Sequence, residues 1–329
     1  MMARIVFFLL AVSAAASAWA QPIRLTYSNF FPPTHVQSKL AEEWCQEVAR
    51  RTGGAVVIDY YPGGTLTKPQ DAYDGVVEGI SDIAMSAFAY TKGRFPLLSG
   101  LDLPLGYPTG ALATRVANEA LARFAPKEVE AVHMLYVHAH GPGILHTAGK
   151  PVTRLEDVSG LKIRATGSSA AVVAALGASP VAMPMNDAYQ ALQKRVVDGS
   201  MYPVETNKGW KMAEVVDFMI DTRATAYTTV FFVAMNKAAW ERIPAEHQRT
   251  ITALCQEWAA KHGAAWDESD REGREFFLEK GKKIITLSTE EEGRWRAAME
   301  PVLAQYIEAC QKAGLDGAGL VSFVKERLR

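Results

Sequence analysis

Among the residues of this sequence that could do chemistry, one arginine stands out for its setting. Leu161 and Ile163 alternate with Lys162 and Arg164, bounded by Gly160 and by Gly167-Ser168-Ser169. Period-two alternation marks a strand with one apolar face, so the Arg164 guanidinium is expected to leave the core. Small residues follow, then the helix-like run Ala170-Ala171-Val172-Val173-Ala174-Ala175-Leu176. Arg164 therefore lies near the carboxyl end of a strand, at a strand-to-helix turn, where open α/β sheets gather ligands. The chemistry on offer is recognition of a carboxylate, because the guanidinium fork donates two parallel charge-assisted hydrogen bonds to a planar acid. A solvated surface arginine is the plain alternative.

Other reactive groupings are weaker. His138 and His140, two residues apart, share a face of a strand, but no third ligand lies near them in sequence, and loop or structural histidines are expected. Gly63-Gly64-Thr65 lacks the Gly-Lys-Ser/Thr ending of a phosphate loop, and no dinucleotide fingerprint is present. There is neither a Gly-x-Ser-x-Gly elbow nor a His-Glu-x-x-His pair. Asp198, Glu205 and the histidines are the raw material left for an unrecognised catalytic site. We expect binding rather than catalysis, with no catalytic residue, metal or cofactor. Cys45, Cys255 and Cys310 are an odd set that allows one disulfide at most in an oxidising compartment. Cys45 falls on the apolar helical face Val36, Leu40, Ala41, Trp44 and Val48, which predicts a small buried hydrophobe.

The elements that must position Arg164 read as alternating strands and helices. Residues 1–20 have the layout of a cleavable secretory signal: Arg4, an apolar run from Ile5 to Val12, then small residues ending Ala18-Trp19-Ala20. The apolar run is too short to span a bilayer, so a mature chain from Gln21 is expected. Losing Arg4 takes the formal charge from −1 to −2. Near-neutral charge without a basic block argues against a nucleic-acid partner. Strands are predicted over 23–28, 55–61 and 83–86, with a helix from Val36 and another through Val76-Val77, the pattern of a parallel, helix-covered sheet. Pro32-Pro33 stiffens the loop Asn29-Phe30-Phe31 that precedes the first helix. A strand over 131–138 runs into His140-Gly141-Pro142-Gly143, punctuation suited to a domain crossing. Another strand over 225–235 would return the chain to the first domain. From Pro244 a helical pattern continues past Trp266 to Phe276-Phe277, either one long helix or two joined near Gly263. The stretch 290–325 reads as amphipathic helix with solvated charges.

Several motifs in order resemble the DctP-type solute-binding proteins of TRAP (tripartite ATP-independent periplasmic) transporters. They are Gly160-Leu161-Lys162-Ile163-Arg164, Gly177-Ala178-Ser179-Pro180, Ala188-Tyr189-Gln190-Ala191-Leu192-Gln193 and Val197-Asp198-Gly199. Tyr60-Tyr61-Pro62-Gly63-Gly64, Gly79-Ile80-Ser81-Asp82-Ile83-Ala84 and Leu103-Pro104-Leu105-Gly106-Tyr107 extend the similarity over nearly the whole mature chain. The resemblance implies an α/β fold of two lobes, each a parallel or mixed sheet flanked by helices, joined by crossing strands and a long helix over both. Lobe I would take 21–141 and about 230–270, and lobe II 142–229 and about 271–329. It implies a periplasmic receptor that closes on a small organic acid and hands it to the membrane subunits of a TRAP permease. Arg164 would form the salt bridge to the acid's carboxylate.

In the family an asparagine often follows the Asp-Gly pair, and here Tyr202 stands in that place. Ile144 stands where some members carry a second cation. With Met185, Ala87, Phe88, Asn29, Phe30, Glu205 and Trp210 they complete the candidate site. These changes remove polarity or add aromatic surface, and a sugar acid would leave hydroxyls unpaired, at about 1–3 kcal/mol for each buried group. The expected ligand is therefore a monocarboxylate with an apolar or aromatic body, such as an arylpyruvate or indole-type acid. Phe30, Phe31, Phe88 and Trp210 as plain core residues is the competing reading. A periplasmic sensor module of the same fold, or an enzyme, is the alternative function.

Overall fold

A computed structural model describes residues 21–329, so the expected signal segment lies outside the described residues. The first sheet is built from β1 (Ile23–Asn29), β2 (Val56–Tyr61), β3 (Ile83–Ala87), β4 (His133–Ala139) and, from much later in the chain, β10 (Val230–Met235). The second holds β5 (Gly143–Thr147), β6 (Lys162–Ala165), β7 (Ser179–Ala182), β8 (Gly199–Pro203), β9 (Phe218–Asp221) and β11 (Lys283–Thr286). Their orders are β2-β1-β3-β10-β4 and β11-β9-β5-β8-β6-β7. β1, β2 and β3 pair in parallel while β10 is antiparallel to both β3 and β4, and in the second sheet β5 is antiparallel to β8 and β9 while the other pairs are parallel, so each sheet is mixed as expected.

The helices are α1 (Val36–Arg51), α2 (Ala72–Val77), α3 (Gly110–Phe124), α4 (Ser168–Ala175), α5 (Met185–Gln193), α6 (Thr206–Gly209), α7 (Lys237–Glu241), α8 (Ala245–Glu279), α9 (Thr289–Lys312) and α10 (Gly317–Arg327). They cover both faces of each sheet, and β10 shows why its sequence is a continuous apolar run. Phe231, Val233 and Met235 pack toward α1 and α8, while Val230, Phe232 and Ala234 pack toward α2, α3 and α10.

Two segments cross between the lobes. One joins β4 to β5 and the other joins β9 to β10, and they are stitched together by Gly143 N–H to Tyr227 O at 2.8 Å and Thr228 Oγ1 to His140 O at 2.7 Å. The strand expected over 225–235 is thus shorter: 225–229 forms this crossing, where its polar groups serve the other crossing instead of a sheet neighbour.

The third tie is α8, one unbroken helix of 35 residues, about 52 Å long at 1.5 Å per residue. Ile251, Leu254 and Trp258 sit in the core of the first lobe and Phe277 in that of the second. Its two interior glycines are contact points. A Cβ on Gly263 would lie 3.0 Å from Ala111 Cα, and one on Gly273 only 2.4 Å from Val204 O. Close approach of the two backbones explains glycine here despite its helix penalty of about 1 kcal/mol.

The end of the chain departs from the expected assignment of 271–329 to the second lobe. Trp295 and Met299 of α9 pack there against α4, but Val302 contacts Leu103, and the Tyr306 hydroxyl donates to Leu97 O at 2.7 Å. After the turn at Gly314, whose φ is +71°, α10 buries Leu320 and Val324 in the core of the first lobe. The three cysteines are buried and unpaired.

Candidate ligand-binding site

The strand that carries Arg164 is flanked in parallel by β8 and β7. Ile163 and Ala165 join the core beneath α4 and α9, which turns Arg164 to the opposite face, where it is 4% exposed. The guanidinium leaves that core, as alternation predicts, yet it does not reach bulk solvent: it lines a small cavity between the lobes, about 40 Å³ in volume. Both neighbouring strands grip it. Nε donates to Met183 O, just past β7, at 2.9 Å, and Nη1 donates to Met201 O of β8 at 3.2 Å. Of the five guanidinium N–H donors, these bonds use two and leave three. Tyr90 stands beside them and accepts the Met185 backbone N–H at 3.3 Å. Burial raises the Tyr90 phenol pKa, and the nearby Arg164 charge draws it part of the way back.

Rings form most of the remaining wall. Phe30 stacks against Phe231 with centroids 5.9 Å apart and against Trp210 at 6.2 Å, while Phe231 stacks on Trp266 at 5.5 Å. The loop after β1 is what presents Phe30 and Phe31. Asn29 Oδ1 accepts the Phe31 N–H at 2.9 Å, and the Pro62-Gly63-Gly64 turn supports the loop from behind, with Gly63 N–H to Phe31 O at 2.8 Å. Asn186 Nδ2 of the second lobe donates to Phe30 O at 3.2 Å, so the loop also meets the opposite lobe.

Glu205 and His140 also line the cavity. The Glu205 carboxylate accepts from Thr206 Oγ1 at 2.6 Å and from His35 Nε2 at 3.0 Å. His35 Nδ1 accepts the Gln37 N–H at 3.2 Å as the cap of α1, so the ring hydrogen is on Nε2 and His35 is a neutral donor to the carboxylate. His140 is neutral as well, since burial holds its pKa down at about 4.

The family model of the bacterial extracellular solute-binding proteins, family 7, matches residues 27–309. This chain is a DctP-type solute-binding protein of the TRAP transporters. It is 30% identical to a marine-metagenome TRAP solute-binding protein specific for aromatic acids, solved with metahydroxyphenylacetate, with a TM-score of 0.88 over 93% of this chain and 98% of that one. A TRAP solute-binding protein from Rhodoferax ferrireducens, solved with copurified benzoate, is 27% identical with the same TM-score, over 93% and 97%. The C4-dicarboxylate-binding periplasmic protein DctP of Rhodobacter capsulatus is 26% identical over 89% of each chain. Members of this family are receptors, not enzymes, and so is this chain.

Of the residues expected at the site of this DctP-type receptor, Arg164, Phe30, Met185, Tyr202, Glu205 and Trp210 line the cavity. Tyr202 does so with its hydroxyl turned away, toward Asn207 Oδ1 at 3.3 Å, and its ring stacked on His146 at 3.8 Å. Four others lie elsewhere. Asn29 is buried and spent on the loop, with Nδ2 donating to Tyr60 at 2.9 Å. Ile144 belongs to the core with Met219 and Phe277. Ala87 closes β3 inside the first core, and Phe88 packs on Phe95 at 4.8 Å and Phe232 at 5.2 Å. The strand stops at Ala87 and becomes a 3-10 turn over Phe88–Tyr90, so side chains rotate by about 120° per residue instead of alternating. That rotation sends Phe88 into the lobe and Tyr90 to the cavity. Phe88 does line a wider interlobe groove of about 560 Å³ that reaches Tyr90 and Thr166.

Tyr90, His140, Tyr227, Phe231 and Trp266 also form the wall, though no local motif marks them for it. Two of them had a signal available: His140 and Tyr227 sit in the crossing segments, which by construction face the space between lobes.

Proposed function

We propose that this receptor carries a single-carboxylate acid with an aromatic body to its TRAP permease in the periplasm, and that Arg164 forms the salt bridge to the carboxylate. The observation that carries this is the charge inventory of the cavity. Among the described residues Arg164 is the one cation on its wall, Glu205 is a carboxyl group on that same wall, and most of the rest is ring and thioether. A second carboxylate would be buried without a partner and near Glu205, which is heavily penalised. Rings on the wall favour stacking with an aryl group. The ligands named for the benzoate- and metahydroxyphenylacetate-bound relatives agree with this reading, and the dicarboxylate named for the Rhodobacter protein marks the alternative.

The test is a thermal-shift and calorimetric panel of benzoate, phenylpyruvate, indole-3-acetate, succinate and glucuronate. A ligand at about a hundred times its Kd stabilises the folded state by about 2.7 kcal/mol. Aryl monocarboxylates should shift the transition, and Arg164→Lys should weaken the best of them by about 10- to 150-fold, the value of one charge-assisted bond. Stabilisation by succinate or glucuronate alone would overturn the aromatic assignment, and wild-type affinity in Arg164→Lys would remove the anchor.

A further inference from the structure

We propose that the cavity has a second pole, formed by His140 Nε2 and the Glu205 carboxylate, that selects ligands bearing a hydroxyl or N–H donor on the body away from the carboxylate. The inference deepens the proposed aromatic-acid reading and rests on the same cavity.

His140 comes from the first crossing segment and is 3% exposed. Its Nδ1 lies 2.5 Å from Gly141 O, and a carbonyl oxygen only accepts, so the ring hydrogen is on Nδ1. A buried neutral imidazole with Nδ1–H has a bare lone pair on Nε2. Among the described residues no donor satisfies it. The ring is walled by Tyr227, with centroids 5.5 Å apart, Phe231 at 6.1 Å and Trp266 at 6.2 Å, all cavity residues. With Nδ1 committed to the crossing backbone, the opposite edge of the ring is the one left for the cavity.

Glu205 has the same hunger for hydrogens. Its carboxyl group is 2% exposed, with one donor on each oxygen and a lone pair over on each. Its charge is felt at His140, where it works against the effect of burial. Asp270 of α8 lies against both segments. Asp270 Oδ1 of α8 accepts the Glu205 backbone N–H at 2.8 Å, and its Oδ2 would sit 2.0 Å from a Cβ on Gly141, the residue after His140. One cavity wall therefore carries donors at Arg164 and free acceptor sites at His140 and Glu205. A ligand whose far end is bare carbon leaves that pole unsatisfied, whereas a hydroxyl or N–H meets it.

Calorimetry on the purified full-length mature receptor tests this with matched probes: phenylacetate, its hydroxyphenylacetate isomers and their methyl ethers, together with hexanoate and 6-hydroxyhexanoate. The expected result is that at least one hydroxylated isomer binds about tenfold or more tightly than phenylacetate, the lower end for a hydrogen bond to a charged group. Its methyl ether, which cannot donate, should lose the advantage. In His140→Phe and, separately, in Glu205→Gln, the ratio of hydroxylated to parent affinity should collapse toward one, a readout that a general loss of stability would not move. If either variant fails to fold, the wild-type ratios still decide. Aromatic acids binding with no preference for any hydroxylated isomer over parent and ether would overturn the donor pole and leave the aromatic reading standing. No binding of aromatic acids, with 6-hydroxyhexanoate preferred to hexanoate, would overturn the aromatic reading and support the pole. A hydroxyl preference that persists in both variants would sink the assignment to these residues.

Discussion

Gly273→Ala should destabilise this receptor although alanine is the better helix former. Gly273 lies in the interior of α8, where the exchange would ordinarily gain about 1 kcal/mol. Here the added Cβ would fall 2.4 Å from Val204 O and 2.7 Å from Glu205 Cα. Ordinary contact begins about 1 Å further out, and both obstacles are backbone, so no side chain can rotate aside. One of the two segments must move. Overpacking of this kind costs about 1–3 kcal/mol, and a contact with main chain on the far side belongs at the upper end. The shift also stretches the Asp270 to Glu205 N–H bond, now 2.8 Å, worth about 1 kcal/mol or more. The net expectation is a loss of about 2–3 kcal/mol. Gly293→Ala is the control, since Gly293 is inside α9 and a Cβ there meets nothing within 4 Å. It should gain about 1 kcal/mol. Urea unfolding of the two variants beside wild type reads the difference, with the m-value checked for constancy. Because Gly273 sits against Glu205, its variant should also bind ligand more weakly. If Gly273→Ala is stabilised as Gly293→Ala is, the close seating of α8 on residues 204–205 is refuted.

Closure can be probed at Gly167, where φ is +51° and a Cβ would lie 2.8 Å from Ala89 Cβ of the other lobe. Gly167→Ala should cost about 1–2 kcal/mol of stability from left-handed strain and hold the lobes apart, lowering ligand affinity; unchanged affinity by calorimetry would count against this contact. Burial of His262 holds its pKa down at about 3, against about 6.5 unfolded. Between those values the unfolded chain takes up a proton that the native one refuses, so this group's contribution is complete above about pH 6.5 and is lost as pH falls toward 3. His262→Gln should flatten the stability slope between pH 6 and 4 by up to about 1.4 kcal/mol per pH unit, read from urea midpoints; parallel slopes would contradict a buried neutral ring. Cys45, Cys255 and Cys310 are buried free thiols, so a reductant should leave the melting temperature unchanged, and a thiol reagent should titrate three groups only after unfolding.

Local pattern determined a good deal of this protein. The alternation around Arg164 is set by the two-residue repeat of a strand, and it held because a slip of one residue would bury the cation in the core beneath α4. On α1 the inner face holds Cys45 with Ala41, Trp44 and Val48 as its spacing predicts, since a helix must bury one stripe, but Val36 and Leu40 are half-buried at its edge and Gln37 and Ser38 are buried. The crossing at residues 140–143 announced itself through glycine and proline. What pattern could not carry was any decision made by another part of the chain. Whether Gly263 breaks α8 depends on α3 needing to approach it, not on its own propensity. Whether Phe88 or Tyr90 lines the small cavity depends on where β3 stops pairing with β10 and the 3-10 turn begins. α10 belongs to the first lobe because α3 offers it an apolar face there, which nothing within 317–327 reveals. Above all, the cavity draws Phe30, Tyr90, His140, Arg164, Glu205 and Trp266 from stretches far apart in sequence. Periodicity tells which way a side chain leaves its own element. Only the packing of two lobes on one long helix decides what it meets there.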